Sequence, residues 1–258
     1  MTEGRTQYGS ERLDGRVAIV TGASAGIGEA SALALAEAGA SVVVTARRKD
    51  RLEALAGRIR DAGGTALPYV GDVASLEDVQ GLAAATMEAF GRIDILVNNA
   101  GLMPLSPMSE VRVEDWSRMV DVNVKGVLHC IAALLPKMIE QGSGHVVNIG
   151  SLAGRRPFPG GTVYSATKFA VRSLSWGMHL ELGAKHGIRV TDIQPGFVST
   201  ELMETVPDPE LREAWDEAWR GKRTLQPEDV ARAVMFAVTS PAHVSVSEVL
   251  VRPVDQAT

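Results

Sequence analysis

The sequence has a single cysteine, Cys130, among 258 residues, so an internal disulfide is excluded. It has no excess of positive charge either. The formal net charge of −5 at pH 7 argues against a nucleic-acid or anionic-membrane surface. The polar residues 1–16 lack an apolar signal core, and no apolar run approaches the length of a membrane span. These absences predict a cytoplasmic protein in a reducing compartment, with no nucleic-acid and no membrane partner.

Several catalytic signatures are also missing. The five histidines, at positions 129, 145, 179, 186 and 243, show no HExxH or comparable ligand spacing, which disfavours a zinc hydrolase. Neither a GxSxG elbow nor a Walker lysine occurs, which disfavours esterases and nucleotide hydrolases. We therefore expect chemistry that needs no metal.

Strand-like apolar runs alternate with helix-like stretches along the whole chain. The predicted strands lie at residues 17–20, 41–45, 65–70, 93–97, 144–151, 188–193 and 247–253. Alternation this regular implies parallel strands joined by right-handed crossovers. We predict an α/β fold: a single-domain, Rossmann-type, doubly wound parallel sheet of about seven strands with helices on both faces. Residues 1–14 are predicted to form a polar N-terminal arm and residues 15–258 the domain.

A glycine-rich turn, residues 21–28, joins the first predicted strand to a helix-forming stretch. Glycines let the backbone approach phosphates closely, and the free N–H groups at a helix N-terminus attract an anion. A strand, glycine turn and helix in this order is typical of dinucleotide pyrophosphate sites, although a plain tight turn is the simpler alternative. The residues predicted to bind the cofactor here are Gly22, Ser24, Gly26, Ile27 and Gly28.

Two arginines, Arg47 and Arg48, follow the second predicted strand, where NAD-binding folds place an acidic residue on the adenosine ribose. A carboxylate repels a 2′-phosphate, whereas a guanidinium binds it with two hydrogen bonds. NADP(H) is therefore the predicted cofactor. The alternative is that both arginines are solvated charges beside the next helix.

Polar residues also follow the third and fourth predicted strands. Asp72 and Val73 lie where ligands bind in open α/β sheets, so we predict a contact with the adenine. The alternative for Asp72 is a helix N-cap. The fourth strand ends in two amides and two small residues that leave room for a ribose: Asn98, Asn99, Ala100 and Gly101.

Tyr164 and Lys168 are four residues apart, so on a helix they share one face. A lysine ammonium about 5 Å from the phenol, at an effective dielectric near 20, favours the ionised phenol by on the order of 3 kcal/mol. Tyr164 is then a proton donor and acceptor for an alcohol/carbonyl pair. Ser151 ends the fifth predicted strand, and the intervening loop can return its hydroxyl to Tyr164. Taken singly, these are an ordinary amphipathic helix and a strand-end serine.

Together these motifs, in this order and spacing, resemble the short-chain dehydrogenase/reductase family over almost the whole chain. The matching segments are 21–28, 98–101, Asn123, Ser151, Tyr164, Lys168, Pro195 and Gly196. The resemblance implies that Tyr164 is the acid/base and that Lys168 lowers its pKa and holds the nicotinamide ribose. It further implies that Ser151 orients the substrate and that Asn123 supports a proton relay through water. The residues it implies around the nicotinamide and its ribose are Asn99, Ala100, Gly101, Lys168, Pro195, Gly196, Val198 and Thr200.

Residues 199–226 are predicted to form a lid over the substrate, because the family closes its site there. The residues predicted to wall an apolar pocket are Met103, Phe158, Phe197, Met203, Trp215 and Trp219. The alternative is that the two tryptophans only pin the lid to the body. The ending at residues 249–256 resembles the family branch with NADP-dependent 3-hydroxy acid dehydrogenases and clavulanic aldehyde reductase.

The sequence thus predicts an NADP(H)-dependent oxidoreductase that interconverts a ketone or aldehyde and an alcohol. One alternative is oxidation of a 3-hydroxy acid of the β-hydroxy amino acid type, with Arg155 or Arg156 taking the carboxylate. Another is a non-catalytic NADPH-binding sensor or scaffold. The helix around Cys130 is apolar nearly all round, which predicts burial against another subunit. Together with residues 169–183 it resembles the family's dimer interface, so the resemblance implies a homodimer or homotetramer.

Overall fold

The apolar runs of the sequence form the strands of one parallel sheet in the computed structural model, which describes residues 12–256. Within these residues the strands are β1 (Val17–Thr21), β2 (Ser41–Ala46), β3 (Thr65–Val70), β4 (Ile95–Asn98), β5 (Gly144–Ile149), β6 (Ile188–Pro195) and β7 (Glu248–Val251). They are arranged in the order β3-β2-β1-β4-β5-β6-β7, and every neighbouring pair is parallel. The predicted fold class is confirmed.

Helices connect these strands and cover both faces of the sheet. Within the described residues they are α1 (Gly26–Glu37), α2 (Lys49–Asp61), α3 (Leu76–Phe90), α4 (Val113–Val120), α5 (Gly126–Gln141), α6 (Thr162–His186), α7 (Pro209–Trp219) and α8 (Pro227–Val238). Leu35 of α1, Leu52 of α2 and Val230 of α8 are buried in one core. Leu82 of α3 and Leu134 of α5 are buried in the other. Apolar side chains alternate between these two cores along β1, β2, β4 and β5, as a sheet covered on both faces requires.

The strand order reverses direction between β1 and β4, which are adjacent in the sheet. In open α/β sheets, ligands bind beyond the carboxyl ends of the strands at such a switch point. The glycine turn after β1 and the amides after β4 therefore meet at one edge of the sheet.

The predicted arm, residues 1–14, lies mostly outside the described residues. Of its last three residues, Leu13 is buried in the core, and its N–H donates to the Ala38 carbonyl at 2.8 Å. Leu13 therefore packs against the core although it belongs to the predicted arm, and the boundary at residue 15 stays a prediction.

Helices α4 and α5 are joined by a π-helical turn, Asp121–Lys125, into one helical segment from Val113 to Gln141. By length and composition alone this segment could cross a membrane, with a mean hydropathy of 1.4, so the prediction that no run approaches that length was wrong. Core helices pass the same test, and Leu134 and Met138 of this segment are fully buried. The absence of a membrane partner stays a prediction.

His145 of β5 is a buried histidine that is held in its neutral form. The Thr191 hydroxyl donates to the Val246 carbonyl at 2.6 Å, so the His145 Nε2–H must donate to the Thr191 oxygen, at 2.7 Å. The other ring nitrogen is buried, and no described residue accepts a proton from it. Burial, together with the Arg189 cation on the paired strand, lowers the pKa of His145 to about 3.

Acid should therefore destabilise this fold through His145. The unfolded chain binds a proton near pH 6.5 and the folded chain does not, so stability is lost as the pH falls through this range. We expect His145 to contribute a loss of roughly 2 kcal/mol in unfolding free energy between pH 7 and pH 5. Urea unfolding of His145→Gln, which keeps a donor for Thr191, should lack that loss. The exposed His243→Gln should retain it, and equal pH slopes for both variants would contradict this account.

Candidate active site

The glycine turn after β1 has the backbone geometry that its sequence predicts. Gly22 and Gly26 have positive φ angles of 64° and 58°, a conformation that favours glycine. Gly28 packs so tightly that a Cβ there would lie 2.4 Å from the Gly22 carbonyl oxygen and 2.5 Å from Asn99 Nδ2. Any side chain at position 28 would therefore displace the turn.

Thr21 and Asn99 bind this turn to the end of β4. The Thr21 hydroxyl oxygen accepts from the N–H groups of Asn99 and Ala100 at 3.0 and 3.1 Å. Asn99 Nδ2 donates to the carbonyls of Thr21 and Gly22 at 3.0 and 3.2 Å. The predicted pyrophosphate and ribose segments therefore form one hydrogen-bonded unit.

Arg48 follows β2, beside the glycine turn, and its side chain makes two contacts there. Its Nε donates to Ser24 Oγ at 3.0 Å, and one terminal nitrogen pairs with Glu201 at 2.7 Å. Arg47 is 70% exposed and lies 3.8 Å from Asp72. Arg48 therefore approaches the glycine turn, whereas the Arg47 side chain extends into solvent.

Asp72 does not cap helix α3, so that alternative was wrong. Ser75 is the N-cap, and its hydroxyl accepts from the Asp78 N–H at 3.2 Å. Asp72 instead accepts from the Ala74 N–H at 2.9 Å. Both Asp72 and Val73 line the same cleft as the glycine turn. Their contact with the adenine stays a prediction.

The serine, tyrosine and lysine predicted to act together do meet in the fold. Ser151 follows β5, and its hydroxyl lies beside the Tyr164 phenol on α6, close enough to lower the pKa of that phenol. Lys168 Nζ lies 5.8 Å from the centre of the Tyr164 ring and donates to the Ile149 carbonyl at 2.8 Å. Tyr164 and Lys168 are both 7% exposed. The phenol and the ammonium are therefore largely screened from solvent, and the Ser151 hydroxyl lies beside them.

The expected lowering of the Tyr164 pKa by Lys168 is not found. Burial raises the pKa of Tyr164 to about 12, and only the Ser151 hydrogen bond opposes this. Burial also lowers the pKa of Lys168 to about 8, against the attraction of the Asp192 carboxylate. The prediction counted the charge of the lysine but not the cost of desolvating both groups, and that cost is larger.

Asn123 lies in the π-helical turn, which is the local loosening that an asparagine in a helix favours. Its Oδ1 accepts from the Leu102 N–H at 2.9 Å, and its Nδ2 donates to the Leu102 carbonyl and the Thr167 hydroxyl at 3.0 and 3.1 Å. The side chain therefore ties the loop after β4 to helix α6. Its part in a proton relay stays a prediction.

A cleft of about 920 Å³ runs from Arg47 and Arg48 to Tyr164. The cleft lies at the switch point of the sheet. No side chain fits at Gly28 of the glycine turn, while the backbone of the turn faces the cleft. The shape of the cleft and its hydrogen-bond donors therefore fit a dinucleotide. The cofactor residues predicted to line it and found there are Gly22, Ser24, Gly26, Ile27, Arg47, Arg48, Asp72, Val73, Asn99, Ala100, Gly101, Lys168, Pro195, Gly196, Val198 and Thr200. Gly28 lies behind the turn instead.

Aromatic and apolar residues close the other end of the cleft. Met103, Phe158, Phe197, Met203 and Trp215 line it, as predicted. Trp219 does not line the cleft, so that prediction was wrong. Its ring is stacked 4.3 Å from the Phe197 ring, with an interplanar angle of 12°. Helix α7 places the two tryptophans one turn apart, and only the first reaches the cavity.

The two arginines after Ser151 have different environments. Arg155 is ion-paired with Glu248 and hydrogen-bonded to Gln194, away from the cleft. Arg156 lines the cleft, and its guanidinium makes no ion pair or hydrogen bond within residues 12–256. The side chains of these two adjacent residues point in different directions. The sequence alone did not show which of the two arginines faces the cleft.

The family model of short chain dehydrogenases matches residues 16–211, which include the glycine turn, Ser151, Tyr164 and Lys168. The chain belongs to the short-chain dehydrogenase/reductase family. An uncharacterized oxidoreductase of Staphylococcus saprophyticus is 45% identical over 94% of this chain and 99% of its own length. Among solved structures, serine dehydrogenase complexed with NADP+ has a TM-score of 0.87 at 37% identity, covering 94% of this chain and 96% of that one. Gluconate 5-dehydrogenase from Burkholderia cenocepacia, in complex with NADP and tartrate, has a TM-score of 0.83 at 34% identity, covering 95% and 97%.

Glu201 and Gln256 are among the residues that line the cleft of this short-chain dehydrogenase and that the sequence reasoning missed. Gln256, near the chain end, accepts from the Phe197 N–H at 3.0 Å and lies against Gly196. Glu201 contacts Arg48 from the lid segment. Neither has a local pattern that indicates a site, since both contacts join segments distant in sequence.

Proposed function

We propose that this short-chain dehydrogenase uses NADP(H) to interconvert a ketone or aldehyde and an alcohol. The observation that carries the proposal is one cleft with Ser151, Tyr164 and Lys168 at one end and Arg47 and Arg48 at the other. Arginines without a carboxylate after β2 favour a ligand with a 2′-phosphate. A bound nicotinamide supplies or accepts the hydride.

The side chains supply the proton and hold the oxygen that receives it. A raised pKa keeps Tyr164 protonated at neutral pH, so in the reductive direction its hydroxyl donates a proton to the developing alkoxide. The Ser151 hydroxyl lies beside the Tyr164 phenol, so it can donate a hydrogen bond to the same substrate oxygen as negative charge develops there. Lys168 lies beside this ring and donates to the Ile149 carbonyl, and it would hold the nicotinamide ribose when the cofactor is bound.

A substrate panel tests this proposal most broadly. Neutral ketones, aldehydes and hydroxy acids are assayed with NADPH or NADH, or with the oxidised cofactors, by the change in nicotinamide absorbance. We expect turnover with carbonyl substrates and a clear preference for NADPH. A preference for NADH would contradict the role given to the arginines. NADPH binding without turnover of any substrate would favour the sensor alternative.

Oxidation of a 3-hydroxy acid is a second candidate function, and Arg156 is the observation that favours it. An unpaired cation at the substrate end of the cleft suits a carboxylate. Serine, the substrate named for the serine dehydrogenase of similar structure, is itself a 3-hydroxy acid. Arg155 is not available for this role because Glu248 and Gln194 hold its side chain.

Arg156→Ala should distinguish acids from neutral substrates. Loss of a charge-assisted contact lowers kcat/KM for serine or 3-hydroxybutyrate by roughly 10- to 100-fold, because such contacts are worth about 1.5–3 kcal/mol. Neutral substrates should keep their wild-type values. Arg118→Ala is the matched control, since Arg118 also lines the cleft but is ion-paired with Asp115. An equal fall for acids and neutral alcohols would remove Arg156 from carboxylate binding.

We also propose a homodimer or homotetramer. Helix α5 exposes Leu128, and helix α6 exposes Phe169, Trp176 and Leu180, the last of which is 67% exposed. Large apolar side chains exposed on helix surfaces are typical of subunit contacts. Light scattering should give at least twice the monomer mass, and a monomer would contradict this.

A further inference from the structure

The carboxylate of Glu201 lies between two arginines that belong to the opposite side of the cleft. Glu201 begins the 3-10 turn Glu201–Thr205 at the start of the lid. Its two oxygens pair with Arg48 at 2.7 Å and with Arg51 at 2.9 Å, across about 150 positions of sequence. These are the ion pairs that join the lid turn to the start of helix α2.

The same corner holds the residues proposed to bind the 2′-phosphate. Arg48 Nε donates to Ser24 in the glycine turn, and an adjacent nitrogen of the same guanidinium donates to Glu201. Both arginines lower the pKa of Glu201, which keeps its carboxylate ionised at neutral pH. The corner is therefore an anion site that already holds an anion from this chain.

We propose that Glu201 competes with the cofactor 2′-phosphate for Arg48 and thereby limits how strongly this protein prefers NADPH over NADH. The inference rests on the proposed NADP(H) function. A phosphate carries nearly two negative charges, so binding it beside Arg48 requires Glu201 to move away or to accept like-charge repulsion. NADH lacks that phosphate and leaves the Glu201 contacts intact.

Glu201→Gln tests the competition because glutamine keeps the size and one acceptor oxygen but removes the charge. We expect NADPH to bind on the order of 10-fold more tightly, which corresponds to the repulsion of charges a few ångströms apart near a surface. NADH affinity should stay within about 2-fold of the wild type. Direct titration of nicotinamide fluorescence gives both dissociation constants without requiring a substrate.

Glu204→Gln is the matched control. Glu204 lies on the same turn and lines the same cleft, and it makes no ion pair within the described part of the chain. Its substitution makes the same change in net charge. It should leave the ratio of NADPH to NADH affinity at the wild-type value.

Two results would overturn the inference. If Glu201→Gln weakens NADPH binding, Glu201 supports Arg48 instead of competing for it. If the affinities for NADPH and NADH change equally, Glu201 acts on the cleft as a whole. The inference concerns the change in the ratio between variant and wild type. A wild type that prefers NADH would count against the proposed cofactor. The competition by Glu201 would still be tested separately, by whether Glu201→Gln raises the ratio of NADPH to NADH affinity above that of the wild type.

Discussion

Tyr164→Phe is expected to abolish turnover while leaving NADPH binding intact. The substitution removes only the hydroxyl, so the ring still fills its buried position beside Lys168. Loss of a positioned proton donor costs a factor of about 10²–10⁴ in rate. The measurement is kcat for carbonyl reduction, together with the dissociation constant for NADPH by fluorescence.

Tyr69→Phe is the matched control for Tyr164→Phe. Tyr69 lies on β3, is half-buried and does not line the cleft, so loss of its hydroxyl should leave turnover unchanged. Turnover that survives in Tyr164→Phe would show that the proton comes from another group. A loss of NADPH binding in that variant would show instead that the hydroxyl holds the cofactor or the fold.

Gly28→Ala is expected to weaken NADPH binding by on the order of 100-fold, because small displacements in a positioned site have effects of that size. The added Cβ would lie 2.4 Å from the Gly22 carbonyl oxygen, so the turn and the Asn99 amide must move apart. Overpacking of this kind also costs about 1–3 kcal/mol of stability. Fluorescence titration and urea unfolding measure the two effects.

Gly57→Ala is the control for a glycine-to-alanine change within a helix. Gly57 lies in α2, and no atom stands within 4 Å of the position its Cβ would take. Alanine should raise stability there by roughly 0.5–1 kcal/mol, since it is the better helix former. Wild-type NADPH affinity in Gly28→Ala would mean that the turn does not hold the cofactor.

The sequence predicted the fold well because its signals are local. Apolar runs of four to eight residues marked the strands, and the glycine turn and the Tyr164–Lys168 spacing depend only on neighbours in the chain. The carboxyl ends of parallel strands share one edge of the sheet, so these segments had to converge there. Their meeting in one cleft therefore followed from topology.

Predictions failed where the outcome depends on burial or on contacts between distant segments. The pKa of Tyr164 is governed by desolvation, which no residue pattern reports. The ion pairs of Glu201 and Arg155 join segments more than 90 positions apart. Trp219 lies behind Phe197 because helix α7 is rotated so that only Trp215 faces the cavity. Side-chain direction of this kind is set by packing and is invisible in spacing alone.

Isotope transfer tests the central claim most directly, namely that hydride passes in this cleft between C4 of a nicotinamide and a carbonyl carbon. A ketone that the wild type reduces is incubated with NADPH deuterated at C4 of the ring, and the alcohol is analysed by mass spectrometry and proton NMR. We predict one deuterium on the carbinol carbon from one C4 face of the cofactor, and none when only the solvent is deuterated. Alcohol formed without cofactor deuterium on that carbon would contradict the account.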